Sequence, residues 1–357
     1  MQSSVDWAVW TALLRKAGYE VFADVRALSL GSHMDVHFHD GLRKLDIGPE
    51  IPDALKCALY HVLSNALGGV NTSYAVESDD KVWLFYHSQS ISHALLRPGA
   101  WIKQMRAWHA RDGLALGNRG LAWVATHFTE LGDPYRAGYF VDYHRDLDPE
   151  ERFQVRIGED PPEGLAMQFP EYDEAKWPAE RRMKAFRNYS RDYASSTILS
   201  VVRTQPSELA AEILELAMRT VLFAMDGRLL GAFQLQDETA PVARVARFIA
   251  CFEEATGTSV AVDVSEASAT LEIDAPSAFS AKEWQGAADE LRAVVASALA
   301  RAWSVWASYV APGILVSVSP DGRHWEVALS PIEKTRDHSL TKHGNRRWTE
   351  EQLLSLM

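Results

Sequence analysis

Apolar residues recur along this chain with one of two periods, and the switches between them mark out its elements. Trp7, Trp10, Leu13, Leu14 and Ala17 form a helical stripe that Asp6 can cap and Gly18 can end. A strand is expected from about 19 to 30. Over Gly31 to Asp46 the period becomes two: Met34, Val36 and Phe38 fall on one face of a strand, and His33, Asp35, His37 and His39 on the other. Asp40-Gly41 tolerates the positive φ of a two-residue hairpin turn, so the segment reads as a hairpin. Pro52 opens and Gly68 closes a helix carrying Leu55, Leu59, Val62 and Ala66. Strands at 72–77 and 81–86 follow, then a helix from Trp101 with Met105 and Trp108 on one face. Leu121, Val124 and Phe128 resume the helical period beyond Gly113, Gly117 and Gly120, and strands at 137–144 and 152–157 close this half.

The second half repeats this punctuation. A helix bears Leu209, Ile213 and Leu216, Asp226-Gly227 marks a second hairpin, and Pro241 and Gly257 bound a helix. Strands at 260–264 and 269–273 precede the clearest helix. Ser280 and Glu283 make its capping box, and Trp284, Ala288, Leu291, Val295, Ala298, Ala302 and Trp306 keep its period. Strands at 313–318 and 324–329, around Asp321-Gly322, come last. The two Asp-Gly turns are 186 residues apart, and Pro52 and Gly68 both find partners at 189. AGYFVDY at 137–143 answers PGILVSV at 312–318, and RFQVRI at 152–157 answers HWEVAL at 324–329. The expected fold is therefore α+β, built from two diverged tandem repeats of helix, hairpin, helix, strand pair, long helix and strand pair. The first repeat spans 1–157. A connector containing Pro161, Pro162, Pro170 and Pro178, with a basic helix bearing Met183, Phe186 and Tyr193, spans 158–200. The second repeat spans 201–332, and a basic tail 333–357.

The first part of each repeat, through the second strand pair and into the long helix, resembles the compact α+β unit of bacterial secretion chaperones and their sensory-regulator relatives. In the second half the element order is also similar to the vinyl-reductase-type domain that binds small ligands. Gly31, His37 and His39 resemble the G-x5-H-x-H opening of the cupin metal motif, but Arg43 and Lys44 stand where that motif has a Glu.

Composition narrows the field. A formal net charge of −12 argues against a nucleic-acid-binding surface. No stretch has the length of a membrane span, and Cys57 and Cys251 both lie within apolar helical patterns, as core thiols of a reducing, cytoplasmic compartment do. His144-Arg145-Asp146-Leu147 copies the start of a kinase catalytic loop, yet Glu151 occupies the place of its Asn. G-x-S-x-G, Walker A, H-E-x-x-H and C-x-x-C patterns are absent.

Two functional readings follow. The first is a non-catalytic binding, chaperone-like or adaptor protein for a peptide, protein or small aromatic ligand, with Trp101, Trp108, Trp284 and Trp303 lining the ligand site. The basic tail then docks on a partner subunit of a homo-oligomer. The second is a metal-dependent enzyme acting on a small aromatic or heterocyclic substrate. There His33, Asp35, His37 and His39 hold a divalent Zn, Fe or Mn ion. Aligned on the Asp-Gly turns, Asp35, His37 and His39 fall opposite Val221, Phe223 and Met225, which directs the histidine face toward an interior.

Overall fold

A computed structural model describes residues 2–87, 98–255, 257–274, 276–321 and 324–331, and the basic tail lies outside them. Three helices come first, α1 (Gln2–Lys16), α2 (Tyr19–Lys44) and α3 (Asp53–Leu67). Strands β1 (Thr72–Ser78) and β2 (Lys81–Tyr86), helices α4 (Pro98–His109) and α5 (Asp112–Leu116), and strands β3 (Leu121–His127), β4 (Arg136–Asp142) and β5 (Phe153–Val155) complete the first half. The second half holds α6 (Ala179–Thr204), α7 (Ser207–Ala232), α8 (Pro241–Glu254), β6 (Ser259–Val264) and β7 (Ala269–Asp274). Two 3-10 turns (Ser277–Phe279 and Lys282–Trp284), α9 (Asp289–Val310), β8 (Ile314–Asp321) and β9 (His324–Pro331) follow. The fold is mixed α+β with two sheets, ordered β1-β2-β4-β3-β5 and β6-β7-β9-β8. All pairings are antiparallel except β3 with β5.

The largest departure from the expected fold is at 19–44, where one long helix replaces a strand and a hairpin. Phe22, Arg26, Leu30, Met34, Phe38 and Leu42 are buried at intervals of four, the stripe of a helix lying on a core. Val36, which a strand would bury beside Met34 and Phe38, is 37% exposed. Gly41 serves packing rather than a turn: a Cβ there would lie 2.4 Å from Cε2 of Tyr60 on α3. Asp226-Gly227 likewise lies within α7, and Asp226 accepts the Trp306 indole N–H at 2.9 Å.

Residues 121–127 are a strand, not a continued helix. β3 is buried along its whole length because both faces of the first sheet are covered, which erases the two-fold polarity that would have revealed it. Val82, Leu84, Trp123 and Phe140 pack beneath α3 and α4, while Trp83, Phe85, Val124 and Tyr139 face outward. The connector covers that outer face: Leu165 packs on it, and Tyr74 and Gln168 exchange two backbone hydrogen bonds. The second sheet is one-sided, with Ala269, Leu271 and Ile273 buried against α8 and α9 and Glu272 and Asp274 exposed.

Helices join the halves crosswise. α1 packs on α7 and α2 packs on α6, while within each half α2 packs on α4 and α7 on α9. One apolar core therefore runs from Ala8 and Phe22 through Ile213 and Phe248 to Trp306 and Leu329, across the expected domain boundary. Among the described residues, no helix is long and apolar enough to cross a membrane.

Candidate metal centre at the seam between the halves

On a helix, His33 and His37 are one turn apart and share a face, and Asp35 and His39 share another, so the four expected ligands separate. His33 and His37 turn toward α6. Their ring centroids are 4.6 Å apart, and the His33 ring lies 4.9 Å from Tyr193 and 6.4 Å from Tyr189. The third member comes from the other half. Glu283, in the 3-10 turn Lys282–Trp284, brings Oε2 to 3.5 Å from His37 Nε2. One ligand atom from each of His33, His37 and Glu283 lies within 4.8 Å of the others. The Glu283 side chain is 3% exposed, and among the described residues neither of its oxygens, nor His37 Nε2, has a hydrogen-bond partner.

The chain goes to some length to hold Glu283 there. Ser195 of α6 donates its hydroxyl to Ala278 O at 2.8 Å and accepts Ala281 N–H at 3.0 Å. The Trp284 indole N–H donates to Ser195 O at 3.2 Å, and Lys282 pairs with Asp40 of α2 at 3.0 Å. Ser280 and Glu283 do not form the expected capping box: α9 begins at Asp289, and Ser280 Oγ has no partner among the described residues. That sequence pattern concealed where the carboxylate points.

Burial, and next the charge of His37, holds the His33 imidazole down at about 3, with Glu283 pulling the other way. Burial pushes the Glu283 carboxyl up, but His37 and then His33 outweigh it and hold the group below its ordinary value. An ionised carboxylate therefore faces two imidazoles across a buried gap, a donor set suited to a metal cation.

A second cluster lies deeper, under the first sheet. His61 of α3, His109 at the end of α4 and Asp112 at the start of α5 are 0–1% exposed. Asp112 Oδ2 is 2.8 Å from His61 Nε2 and 3.2 Å from His109 Nδ1, and those nitrogens are 3.2 Å apart. The Tyr86 hydroxyl is 2.9 Å from His109 Nε2. Burial, then His61, lowers His109 to about 4. Burial raises the Asp112 carboxyl, but the imidazoles hold it below its ordinary value. Sequence reading missed this cluster because His61 sits among the apolar residues of α3. The one available signal was the i, i+3 spacing of His109 and Asp112.

Asp35 and His39 line a different cleft of about 630 Å³ with Arg106, Arg111 and Arg152, and Arg111 donates to both Asp35 oxygens. Trp101, Trp108, Trp284 and Trp303 are 1–7% exposed, and none lines that cleft. Arg136 stacks on Trp101, and Trp303 lies in the core shared by the halves. Trp108 and Trp284 border the two clusters: Trp108 stacks on His109 at 4.8 Å, and Trp284 adjoins Glu283 in its turn. No protein-family model and no curated protein matches this sequence.

Proposed function

We propose that this protein binds a divalent transition metal through His33, His37 and Glu283, and that the ion holds a small-molecule ligand at the seam between two related halves. The observation that carries this reading is the buried, unbonded Glu283 carboxylate facing two imidazoles contributed by the other half. An ionised carboxylate taken from water with only a long contact to one imidazole is costly, and a cation set between it and the imidazoles removes that cost. The 3.5 Å between His37 Nε2 and Glu283 Oε2 is long for a charge-assisted hydrogen bond. It is close to the roughly 3.4 Å edge of a tetrahedron whose ligands lie about 2.0–2.1 Å from a central ion. Two imidazoles and one carboxylate suit zinc, iron or manganese and leave positions free for a ligand. His37 keeps 18% of its side chain exposed, so the cluster lies near the surface although the His37 and Glu283 ligand atoms are buried. A divalent ion there supplies Lewis acidity to a bound carbonyl or water. This reading keeps the binding-protein class and takes a metal-held small molecule, rather than a peptide, as the ligand.

The reading includes a duplication. Its support is the shared order of three helices, strand pair, helix and strand pair, the shared strand arrangement β1-β2-β4-β3 and β6-β7-β9-β8, and the reciprocal packing of α1 on α7 and α2 on α6. On that arrangement β4 corresponds to β9, not to the β8 segment that it resembles in sequence, and β5 has no counterpart. The free thiols of Cys57 and Cys251 support the cytoplasmic placement.

Chelator-stripped protein titrated with Zn²⁺, Mn²⁺ or anaerobic Fe²⁺ in a calorimeter tests the centre. Glu283→Gln and His37→Ala are each expected to weaken uptake by more than the roughly 10–100-fold that loss of an outer-sphere partner costs. A double variant that stays folded by circular dichroism and keeps the wild-type metal content overturns the reading.

A further inference from the structure

The geometry of His61, His109 and Asp112 points to a second metal centre, closed to solvent, that holds a zinc-type ion and fastens α3 to the junction of α4 and α5. Three ligand atoms from three elements converge with separations of 2.8, 3.2 and 3.2 Å. These approach the roughly 3.4 Å edges of a tetrahedral nitrogen and oxygen site.

Hydrogen bonding alone accounts for the triangle poorly. With no ion, Asp112 Oδ2 takes N–H from both His61 Nε2 and His109 Nδ1, which sets two donors 3.2 Å apart facing one oxygen. It also leaves Asp112 Oδ1 buried without a partner among the described residues. The Asp112 carboxylate, held ionised, lies beside a box of aromatic rings around the two imidazoles. Trp108 is 4.8 Å from His61 and from His109, Trp123 is 4.4 Å from His109, and Phe140 stacks on His61 at 5.7 Å. Ring faces carry negative potential, so they disfavour an anion and favour a cation. A divalent ion at the triangle sets positive charge among those ring faces and turns both nitrogens into lone-pair ligands.

Tyr86 supplies the outer partner that metal-bound histidines usually have. With Nδ1 on an ion, His109 Nε2–H donates to the Tyr86 hydroxyl at 2.9 Å. With both N–H groups on Asp112 instead, the His109 tautomer is reversed and Tyr86 is the donor. The two states therefore differ in an observable proton position.

The Glu283→Gln/His37→Ala double variant isolates this centre. After purification it is expected to retain one equivalent of zinc by mass spectrometry, which a chelator removes only under partly denaturing conditions. Nitrogen-15 spectra are expected to show His109 protonated at Nε2. Asp112→Asn added to the double variant is expected to remove the remaining ion. Should that triple variant fail to fold, the zinc dependence of refolding decides: the double variant refolded with Zn²⁺ is expected to unfold at a higher denaturant midpoint than when refolded with chelator. A double variant that contains no metal, shows His109 protonated at Nδ1 and refolds identically with and without Zn²⁺ overturns the second centre and leaves the seam centre standing. A double variant that keeps the whole wild-type content overturns the seam centre instead.

Discussion

Gly41 and Gly227 occur in the same dipeptide, Asp-Gly, inside helices that occupy like places in the two halves, yet replacing each with alanine should change stability in opposite directions. In a helix interior alanine is favoured over glycine by about 1 kcal/mol. Around Gly227 no heavy atom outside the local chain lies within 4 Å of an added Cβ, so Gly227→Ala keeps that gain and should stabilise by about 1 kcal/mol. At Gly41 the new methyl meets Tyr60 Cε2 at 2.4 Å and Cδ2 at 3.2 Å, against the roughly 3.5–4.0 Å of a comfortable carbon contact. The Tyr60 ring is 3% exposed and wedged between Phe38 at 4.6 Å and His61 at 5.2 Å, so it cannot retreat into empty space. Overpacking of this kind costs about 1–3 kcal/mol. The helix gain is common to both variants, so Gly41→Ala should be the less stable of the pair by about 1–3 kcal/mol. Urea unfolding followed by tryptophan fluorescence, with midpoints and slopes compared, measures the difference. If Gly227→Ala destabilises, a turn at Asp226-Gly227 is restored and α7 is wrong. If Gly41→Ala stabilises as much as Gly227→Ala, the α2–α3 contact is wrong.

Lys282→Met removes an exposed ion pair with Asp40, so stability should change by less than about 1 kcal/mol while Zn²⁺ affinity at the seam falls several-fold, because the turn carrying Glu283 loses its tie to α2. Equal affinities for the variant and the wild type would rule out that positioning role. Ser195→Ala leaves the Ala278 carbonyl and the Ala281 N–H without their buried partner, and should cost about 1–3 kcal/mol in denaturant unfolding as well as metal affinity. Unchanged affinity would show that Glu283 is held by something else. Glu253 is 2% exposed, and burial raises its carboxyl above the ordinary value although Ser277 N–H donates to it at 3.0 Å. A raised folded value means that the native state binds the extra proton, so this stability is present at low pH and is lost as pH rises from about 4.5 through the raised value. Glu253→Gln should therefore match the wild type near pH 4 and gain on it toward pH 8, and a difference that is flat or runs the other way contradicts the burial.

The strand pairs Thr72–Ser78 with Lys81–Tyr86 and Ser259–Val264 with Ala269–Asp274 were legible as short apolar runs on either side of a turn. The misread elements share a physical cause. In α2, residues at intervals of four are also residues of like parity, so Met34 and Phe38 satisfy a helix stripe and a strand face alike, and only the exposed Val36 separates the two. In β3, burial on both faces removed the alternation itself. Half of the expected ligand set came together, because the i, i+4 pair His33 and His37 shares a face in a helix as it does in a strand. The third member of that group, Glu283, came from a distant turn. Ser280 and Glu283 have the spacing of a helix start, and only the course of the chain around Ser195 shows that the carboxylate is aimed elsewhere.

The crosswise exchange of first helices makes the polypeptide closer to a tethered pair than to two beads on a string. Severing it in the 158–178 connector would strip α6 from α2 and α1 from α7, leaving each fragment with a bare apolar helix face fit only for a copy of itself or its former neighbour. Covalent linkage also frees the assembly from two-fold symmetry. A self-associated pair must carry every side chain twice, whereas this chain puts two imidazoles on one side of its seam and a single carboxylate on the other, with Phe223 standing 186 residues after His37.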